Sequence, residues 1–230
     1  MTRLGDLVSP DLDDRRDTIL AIPLGATEQH GPHLPLGTDT DLAVELCRRL
    51  AAARSDVLVA PPVPYGASGE HRDFAGTLSI GTPALADLIV ELVRSATDTF
   101  DHVLLVSSHG GNSEAVRRAE TILLAESRDV SVFHPRWDGD PHAGRPETAM
   151  MLVLSPERVR TERLAPGDTR PLADIWPTLR SGGVRAVTAT GVLGDPTAAT
   201  AEEGAALLDR ISGELIESVA LWRQPVGAGR

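Results

Sequence analysis

The stretch from Pro23 to Asp41, PLGATEQHGPHLPLGTDTD, constrains the fold more than any other part of the chain. It follows a short apolar run at Thr18–Ile22, which is typical of a buried strand. It precedes Leu42–Leu50, where the apolar residues have helical spacing. A buried strand is therefore predicted to run into a polar loop, and the loop into a helix. In open α/β sheets, ligands bind at this carboxyl end of a strand.

The polar loop concentrates side chains that bind transition metals. Glu28 and His30 are two residues apart, so an extended backbone would place them on the same face. Asp39 follows at the far end of the loop, and this set of two carboxylates and one imidazole suits Zn²⁺, Mn²⁺ or Fe²⁺. The alternative is a loop that only caps the helix, with Thr38 or Asp39 as the N-cap and the histidines in solvent. The loop alone leaves both interpretations open.

Strand and helix signals alternate along the rest of the chain, which favours an α/β fold with a mostly parallel sheet covered by helices. Further strands are predicted at 57–60, 102–106 and 130–133, with weaker signals at 77–80 and 185–188. Helices are predicted at about 83–93, 113–125, 147–154 and 200–222. Since no internal repeat or linker is visible, residues 1–230 are expected to form one domain, with 224–230 as a frayed tail.

Two more loops carry candidate functional groups directly after predicted strands. His109 lies in SSHGGN, where two glycines allow close backbone approach and Asn112 can cap the next helix. His142 and Glu147 lie in HAGRPET. Each loop alone also fits a simpler role, an incidental histidine in a turn or a favourable charge at a helix start. Three such strand ends can converge if the strands are neighbours in the sheet.

Two weaker candidates for substrate binding are His71 and Trp137. His71 belongs to GEHRDF, which is either a loop on the substrate side or a solvated charged turn. Trp137 either lines a pocket, as aromatic side chains often do, or is a partly buried structural residue. Nothing in the residue pattern decides between these alternatives.

Composition excludes several classes of function. The formal net charge is −11, which argues against nucleic-acid binding because such binding needs a positive surface. The chain has no Lys, so a Walker A phosphate loop and a Schiff-base lysine are both excluded. Cys47 is the single cysteine, so neither an intramolecular disulfide nor a thiolate metal cluster can form. Its position in a helical apolar pattern predicts a small core residue rather than a nucleophile.

No segment has the pattern of a membrane or secretion signal. The first six residues lack the apolar core of a signal peptide. The apolar runs are far shorter than the roughly 20 residues that a membrane-spanning helix needs. The cytoplasm is therefore the expected location.

Taken together, four segments of the chain resemble the creatininase family of metal-dependent amidohydrolases. They are LGATEQHGPHLPLGTD, GEHRDFAGTLSIG, SSHGGN and HAGRPET, and they occur in the family's order over about residues 19 to 155. The joint match is specific, although no single segment would suffice. The resemblance implies a three-layer α/β/α sandwich, two divalent metal ions per subunit (Zn²⁺, Fe²⁺ or Mn²⁺), hydrolysis of C–N bonds and a homo-oligomer.

The resemblance also implies roles for individual residues. By position, Glu28 and His109 resemble ligands of one metal and His30 a ligand of the other, with Asp39 bridging the two. His142 matches the family's proton-transfer histidine. Creatininase has a further Glu ligand where this chain has Gly111, which argues against creatinine as the substrate. Other family members use the Glu of HAGxxET instead, which is Glu147 here.

The C-terminal stretch is most similar to one subgroup of the family. TRPL at 169–172 and GVLGDPT at 191–197 resemble the mycofactocin peptidases, which release a modified Val-Tyr-derived C-terminal fragment from a precursor peptide. That peptide is the expected partner. The rival functions are hydrolysis of a cyclic amide or formamide with the same metals, a metal-dependent binding module without an open coordination position, and a purely structural oligomer.

Overall fold

A computed structural model describes residues 3–224, so all of the predicted frayed tail except Gln224 lies outside the described residues. Within that range the strands are β1 (Ile19–Leu24), β2 (Val57–Val59), β3 (His102–Ser107) and β4 (Asp129–Phe133). The α-helices are α1 (Thr38–Ala53), α2 (Gly81–Ala96), α3 (Ser113–Ala125), α4 (Arg145–Leu154), α5 (Leu172–Gly182) and α6 (Ala201–Trp222). The strong strand and helix predictions are confirmed to within a few residues at each end.

The four described strands form one parallel sheet in the order β2-β1-β3-β4. β1 and β3 run side by side in the centre, with Ile19 opposite His102 and Leu24 opposite Ser107. Because the two strands end at the same level, the loops that follow them leave the sheet next to each other. This register begins to place the predicted site residues together.

Both faces of the sheet are buried, and alternate residues of each strand point to opposite faces. Leu20 and Ile22 of β1 pack in one core with α2 and α3. Ile19 and Ala21 pack in the other core with α1 and α6. Cys47 lies in this second core, as its helical pattern predicts. The predicted α/β/α sandwich is thus confirmed.

The chain changes direction across the sheet between β1 and β3. From β1 it moves outward to β2, and after α2 it returns to β3 and continues to β4 on the other side. The point between β1 and β3 is therefore a topological switch point, which is where ligands bind in open parallel sheets.

Three local predictions are wrong or incomplete. The weak strand at 77–80 is a single bridge, between Leu78 and Thr27. The weak strand at 185–188 is replaced by a short 3₁₀ turn, Val184–Ala186. Helix α5 was not predicted, because Pro177 interrupts its pattern and only Ile175 of the helix is buried. Among residues 3–224, no helix is both long and apolar enough to span a membrane.

Candidate metal centre

The loops at the carboxyl edge of the sheet bring six predicted residues into one cluster. Each is buried, with an exposed fraction of at most 7%. The loop after β1 supplies two of them, and the start of α1, the loop after β3, the segment between β4 and α4, and the first turn of α4 supply one each: Glu28, His30, Asp39, His109, His142 and Glu147. The structure therefore brings together residues from distant parts of the chain only because their strands are neighbours.

Asn112 ties three of the site's loops together. Its Oδ1 accepts a hydrogen bond from the Ala67 backbone N–H at 2.9 Å, and its Nδ2 donates one to the Gly25 carbonyl at 3.0 Å. It is the residue before α3, as predicted, but its side chain does not cap that helix. The predicted capping bond is replaced by bonds between loops, so the residue holds the site and not the helix end.

The cluster contains three overlapping sets of possible metal ligands. Within each set, the ligand atoms lie within 4.8 Å of one another. One set is Glu28, Asp39 and His109, and the second is His30, Asp39 and Glu147. Asp39 is common to both, with Oδ1 3.4 Å from His30 Nε2 and Oδ2 3.5 Å from His109 Nδ1. The third set joins Glu28, His30 and His142. A bridging carboxylate between two ions is consistent with the first two sets.

The buried polar atoms of the cluster test whether metal ions fit. Both carboxylate oxygens of Glu28, His30 Nε2 and Asp39 Oδ2 have no hydrogen-bond partner, although Glu28 is fully buried. His109 Nε2 lies 3.1 Å from Glu28 Oε2 without forming a hydrogen bond. Unpaired buried carboxylates are costly. Carboxylate oxygens and an imidazole nitrogen that converge on a shared space without hydrogen-bond partners fit divalent cations.

Burial raises the pKa of two carboxyl groups of the cluster. It raises the pKa of Glu28 to about 7 and that of Glu147 to about 7, against the opposing effect of the neighbouring imidazoles. Burial disfavours the charged form of His30 too, but the Asp39 carboxylate outweighs it and raises the pKa of His30 to about 10. Bound cations would reverse these preferences, because they stabilise carboxylates and neutral imidazoles.

The simpler interpretation of the first loop, a helix cap with solvated histidines, is wrong. His30 and His33 are fully buried, and the residue before α1 is Gly37, which offers no side-chain cap. His33 Nε2 hydrogen-bonds Thr148 Oγ1 at 2.9 Å, so it links the loop to α4. Because Gly25 has no Cβ, Thr40 of α1 can approach the loop closely. Thr40 Oγ1 then donates a hydrogen bond to the Ala26 carbonyl at 3.1 Å.

Glu147 takes part in both of the roles considered for it. It lies in the first turn of α4, and its Oε2 accepts a hydrogen bond from the Ala143 backbone N–H at 2.6 Å. It also completes the ligand set with His30 and Asp39. One carboxylate oxygen can therefore serve the helix start while the other remains free for an ion.

The position of His142 defines which of its nitrogens carries the proton. Nε2 lies 2.8 Å from the carbonyl oxygen of Gln29, and because a carbonyl only accepts, Nε2 is the donor. Nδ1 is therefore unprotonated, and it lies 3.8 Å from Glu28 Oε1. Burial, followed by the charge of His30, lowers the pKa of His142 well below its usual value. The imidazole is thus neutral and can accept a proton at Nδ1.

Gln29 is a residue of this site that the sequence interpretation missed. Its Nε2 lies 2.8 Å from His71 Nδ1 and 3.2 Å from the Gly191 carbonyl, and its Oε1 accepts from the Gly31 N–H at 2.9 Å. The 3.0 Å approach of Nε2 to His142 Nε2 joins two donors and is not a hydrogen bond. The sequence feature that could have identified Gln29 is its position between Glu28 and His30, on the opposite face of an extended segment.

The two weaker candidates lie in two cavities that open onto the cluster. His71 is buried, 3.4 Å from Glu28 Oε1, and lines a cavity of about 620 Å³ beneath α5. Trp137 is half-buried and lines a second cavity of about 880 Å³. His109 and His142 border both cavities. The cluster is therefore reachable from two sides.

Comparisons with known proteins agree with this geometry. The Creatininase family model, described as creatinine amidohydrolase, matches residues 5–219. The mycofactocin precursor peptide peptidase of Mycobacterium ulcerans (strain Agy99) is 47% identical over 233 residues, covering 95% of this chain and 91% of that protein. A solved structure named "Creatininase Mn" has a TM-score of 0.82 at 25% identity and covers 97% of this chain and 99% of its own.

A second solved structure supports only the fold, because its sequence identity to this chain is low. A mutant creatininase described as "Zn-Zn type" has a TM-score of 0.84 at 24% identity, with 96% of this chain and 98% of the other covered. The creatininase-like sandwich predicted from the sequence resemblance is confirmed by these neighbours. Because the family model spans nearly the whole chain, this protein belongs to the creatininase family.

Proposed function

We propose that this protein is a metal-dependent peptidase of mycofactocin biosynthesis, which hydrolyses an amide bond of a precursor peptide and releases its modified, Val-Tyr-derived C-terminal fragment. The observation that carries the proposal is 47% identity, over 95% of the chain, to a mycofactocin precursor peptide peptidase. The buried ligand cluster supports the same chemistry. The proposal treats residues 1–230 as one catalytic domain, in line with the family model over 5–219.

The residues proposed to hold two divalent ions are the two ligand sets that share Asp39. Glu28 and His109 would complete one set, and His30 and Glu147 the other. When bound, such ions lower the pKa of a water molecule and polarise the scissile carbonyl. The side chains fix this arrangement in advance, because each sits at a strand end or helix start and is buried.

His142 is proposed to transfer the proton to the leaving nitrogen. Its Nδ1 is free and neutral, and its ring borders both cavities, so a peptide that spans them would pass beside it. On the opposite side of the ring, Nε2 donates a hydrogen bond to the backbone carbonyl oxygen of Gln29. His71 lies 4.4 Å from His142 between ring centroids and is proposed to line the substrate site on the same side.

The rival functions fit the geometry less well. A binding module would enclose its ions in a full protein shell, whereas this cluster borders two cavities. A small cyclic amide would fill only a small part of cavities of about 620 and 880 Å³. Gly111 also lacks the carboxylate that creatininase places at that position. An extended peptide is the substrate class that uses both cavities.

The test is product analysis by mass spectrometry after incubation with the precursor peptide, creatinine and a formamide. We expect a released C-terminal fragment from the peptide only, its loss on chelation, and recovery on addition of Zn²⁺, Mn²⁺ or Fe²⁺. His142→Ala should abolish release. The matched control is His102→Ala, since His102 borders neither cavity and belongs to none of the ligand sets. Rapid creatinine hydrolysis beside an intact peptide would disprove the proposal.

A further inference from the structure

Helix α5 carries an apolar stripe that is not used for packing the core. Leu172, Trp176 and Leu179 are spaced by four and three residues, so they share one face of the helix. Leu172 is 42% exposed and Trp176 is 52% exposed. Within the described chain, Ile175 is the only residue of α5 that is buried. An amphipathic helix normally buries such a face, so this stripe has another use.

The stripe lines the cavity that opens onto the metal cluster. All three residues border the cavity of about 620 Å³, which is also bordered by His71 and His142. Its volume lies in the range of small-molecule sites. The apolar face of α5 is thus one wall of a pocket, and the histidines of the candidate active site form another.

A glycine fixes α5 above this pocket. Gly183 follows the helix with φ of +72°, and its N–H donates to the Leu179 carbonyl at 2.9 Å. A Cβ at this position would lie 2.7 Å from the Glu70 carbonyl oxygen, so the end of α5 rests directly on the loop that carries Glu70 and His71. The apolar wall and this loop are therefore positioned together.

Glu70 places a carboxylate at the inner end of the pocket. Its Oε1 lies 3.7 Å from His109 Nε2, and its side chain is one-third exposed. Gly111 keeps this space free, because a Cβ there would overlap both Glu70 Oε1 and His109 Nε2. Arg72 and Arg180 also line the pocket, but both are exposed, so water screens their charge more than that of Glu70.

We propose that the pocket under α5 binds the amine-bearing fragment released by amide hydrolysis, and that this fragment has an apolar, ring-containing body. This rests on the proposed function. Hydrolysis breaks the acyl C–N bond: the water oxygen joins the acyl carbon as a carboxylate, and the nitrogen leaves as an amine that is protonated to an ammonium. Glu70 would accept that ammonium, while Leu172 and Trp176 contact the ring.

The acyl fragment is assigned to the second cavity. A new carboxylate in the pocket under α5 would be repelled by Glu70. The cavity of about 880 Å³ meets the first at His109 and His142, so it is open to the other side of the cleaved bond. Its arginines, Arg117 and Arg136, are exposed, as Arg72 and Arg180 are, and Asp138 and Asp140 also line it. The assignment therefore rests on the position of this cavity and on the repulsion by Glu70, and not on a positive charge of the cavity itself. The two cavities thus give the peptide a direction across the site.

The experiment compares two probes with the same ring, tyramine and 3-(4-hydroxyphenyl)propionate, by calorimetric titration of the metal-loaded protein. We expect tyramine to bind in the pocket under α5 and the acid not to displace it. Trp176→Ala and Glu70→Gln should each weaken tyramine binding roughly three- to tenfold, and Trp176→Phe should retain most of it. The matched control is Leu124→Ala, since Leu124 is 54% exposed on α3 and borders neither cavity.

Three results would overturn the inference: no tyramine binding, displacement of tyramine by the acid, or both pocket variants behaving as Leu124→Ala does. Thermal melts of every variant would identify any that fails to fold, and Leu172→Ala, at another exposed residue of the stripe, would then stand in for Trp176→Ala. Precursor hydrolysis measured on the same samples separates the two proposals. Normal hydrolysis without amine selectivity would disprove only the assignment of the pocket.

Discussion

At the scale of single residues, Glu147 is the side chain on which two interactions converge. It accepts a hydrogen bond from the Ala143 N–H and belongs to a ligand set with His30 and Asp39. The proposed two-metal site needs it as a ligand, because His30 and Asp39 alone would give the second ion two protein ligands, whereas catalytic zinc sites usually have three.

The prediction for Glu147→Gln follows from this count. Loss of a ligand should reduce the metal content from two ions toward one per subunit and collapse the hydrolysis rate. Loss of a charge at a helix start would cost only about 0.3–1 kcal/mol of stability. Elemental analysis with rate measurement distinguishes the two. Glu203→Gln is the control, since Glu203 also lies in a helix first turn. Two tightly bound ions at near-normal turnover would exclude Glu147 as a ligand.

Gln29 acts through the histidines that it holds. Gln29→Leu removes the hydrogen bonds to His71 Nδ1 and the Gly191 carbonyl, so we expect kcat to fall about 10- to 100-fold with a smaller change in KM. In a His71→Ala background the same substitution should have little further effect on kcat, because the group that the Gln29 side chain positions is already absent. If the two losses simply multiply, Gln29 does not act through His71.

At the scale of the elements, the site is held by bonds between loops rather than by any one helix or strand. Asn112 links the loop after β1 to residue 67 from the segment that follows β2, and it lies immediately after the loop of His109. Ser108 Oγ also donates to the Asp39 carbonyl, which ties the loop after β3 to the start of α1. Misplacing one loop would therefore displace ligands on the others.

Removing the bonds that Asn112 makes between the loops should lower both the stability of the protein and its retention of metal. Asn112→Ala leaves the Ala67 N–H and the Gly25 carbonyl buried without their partner, which costs about 1–3 kcal/mol for each group. We expect Tm to fall by roughly 10 °C for a chain of this size, with weaker metal retention. Asn112→Asp, which keeps the acceptor for Ala67, should lose less. An unchanged melting curve for Asn112→Ala would contradict the role described for this residue.

At the scale of the whole molecule, three exposed apolar residues on segments connected to the loop after β1 are the basis for expecting the homo-oligomer that the family resemblance implies. Leu78 is 54% exposed, Leu36 39% and Ile80 37%. They belong to connected segments, because Leu78 bridges Thr27 and the Leu36 carbonyl accepts from the Glu28 N–H. Clustered exposed apolar side chains usually mark an interaction surface.

We therefore expect light scattering after gel filtration to give a mass that is a multiple of the subunit mass. Leu78→Asp should shift the protein toward the monomer, since a charge within an apolar interface is costly. Leu124→Asp, at an equally exposed leucine of α3, should leave the mass unchanged. A monomeric parent protein would contradict the prediction.

The sequence by itself determined the strands, most of the helices and the chemical types of the site residues. Short apolar runs followed by loops rich in Gly, Pro, His and carboxylates define these features locally, because strand burial and turn geometry depend on nearby residues. The Thr200 side chain accepting from the Glu203 N–H is such a local feature, and the helix that it begins was predicted at about 200–222. The four family segments added the expected ligand pairing.

Only the tertiary structure decided how the loops meet and what covers them. The β1–β3 register places His109 beside Glu28, and the network around Gln29 sets the protonated nitrogens of His71 and His142. Helix α5 and the pocket beneath it escaped prediction because its apolar stripe faces a cavity rather than the core. A local pattern records how a residue is spaced from its neighbours, whereas contacts between distant segments depend on the order of the strands in the sheet.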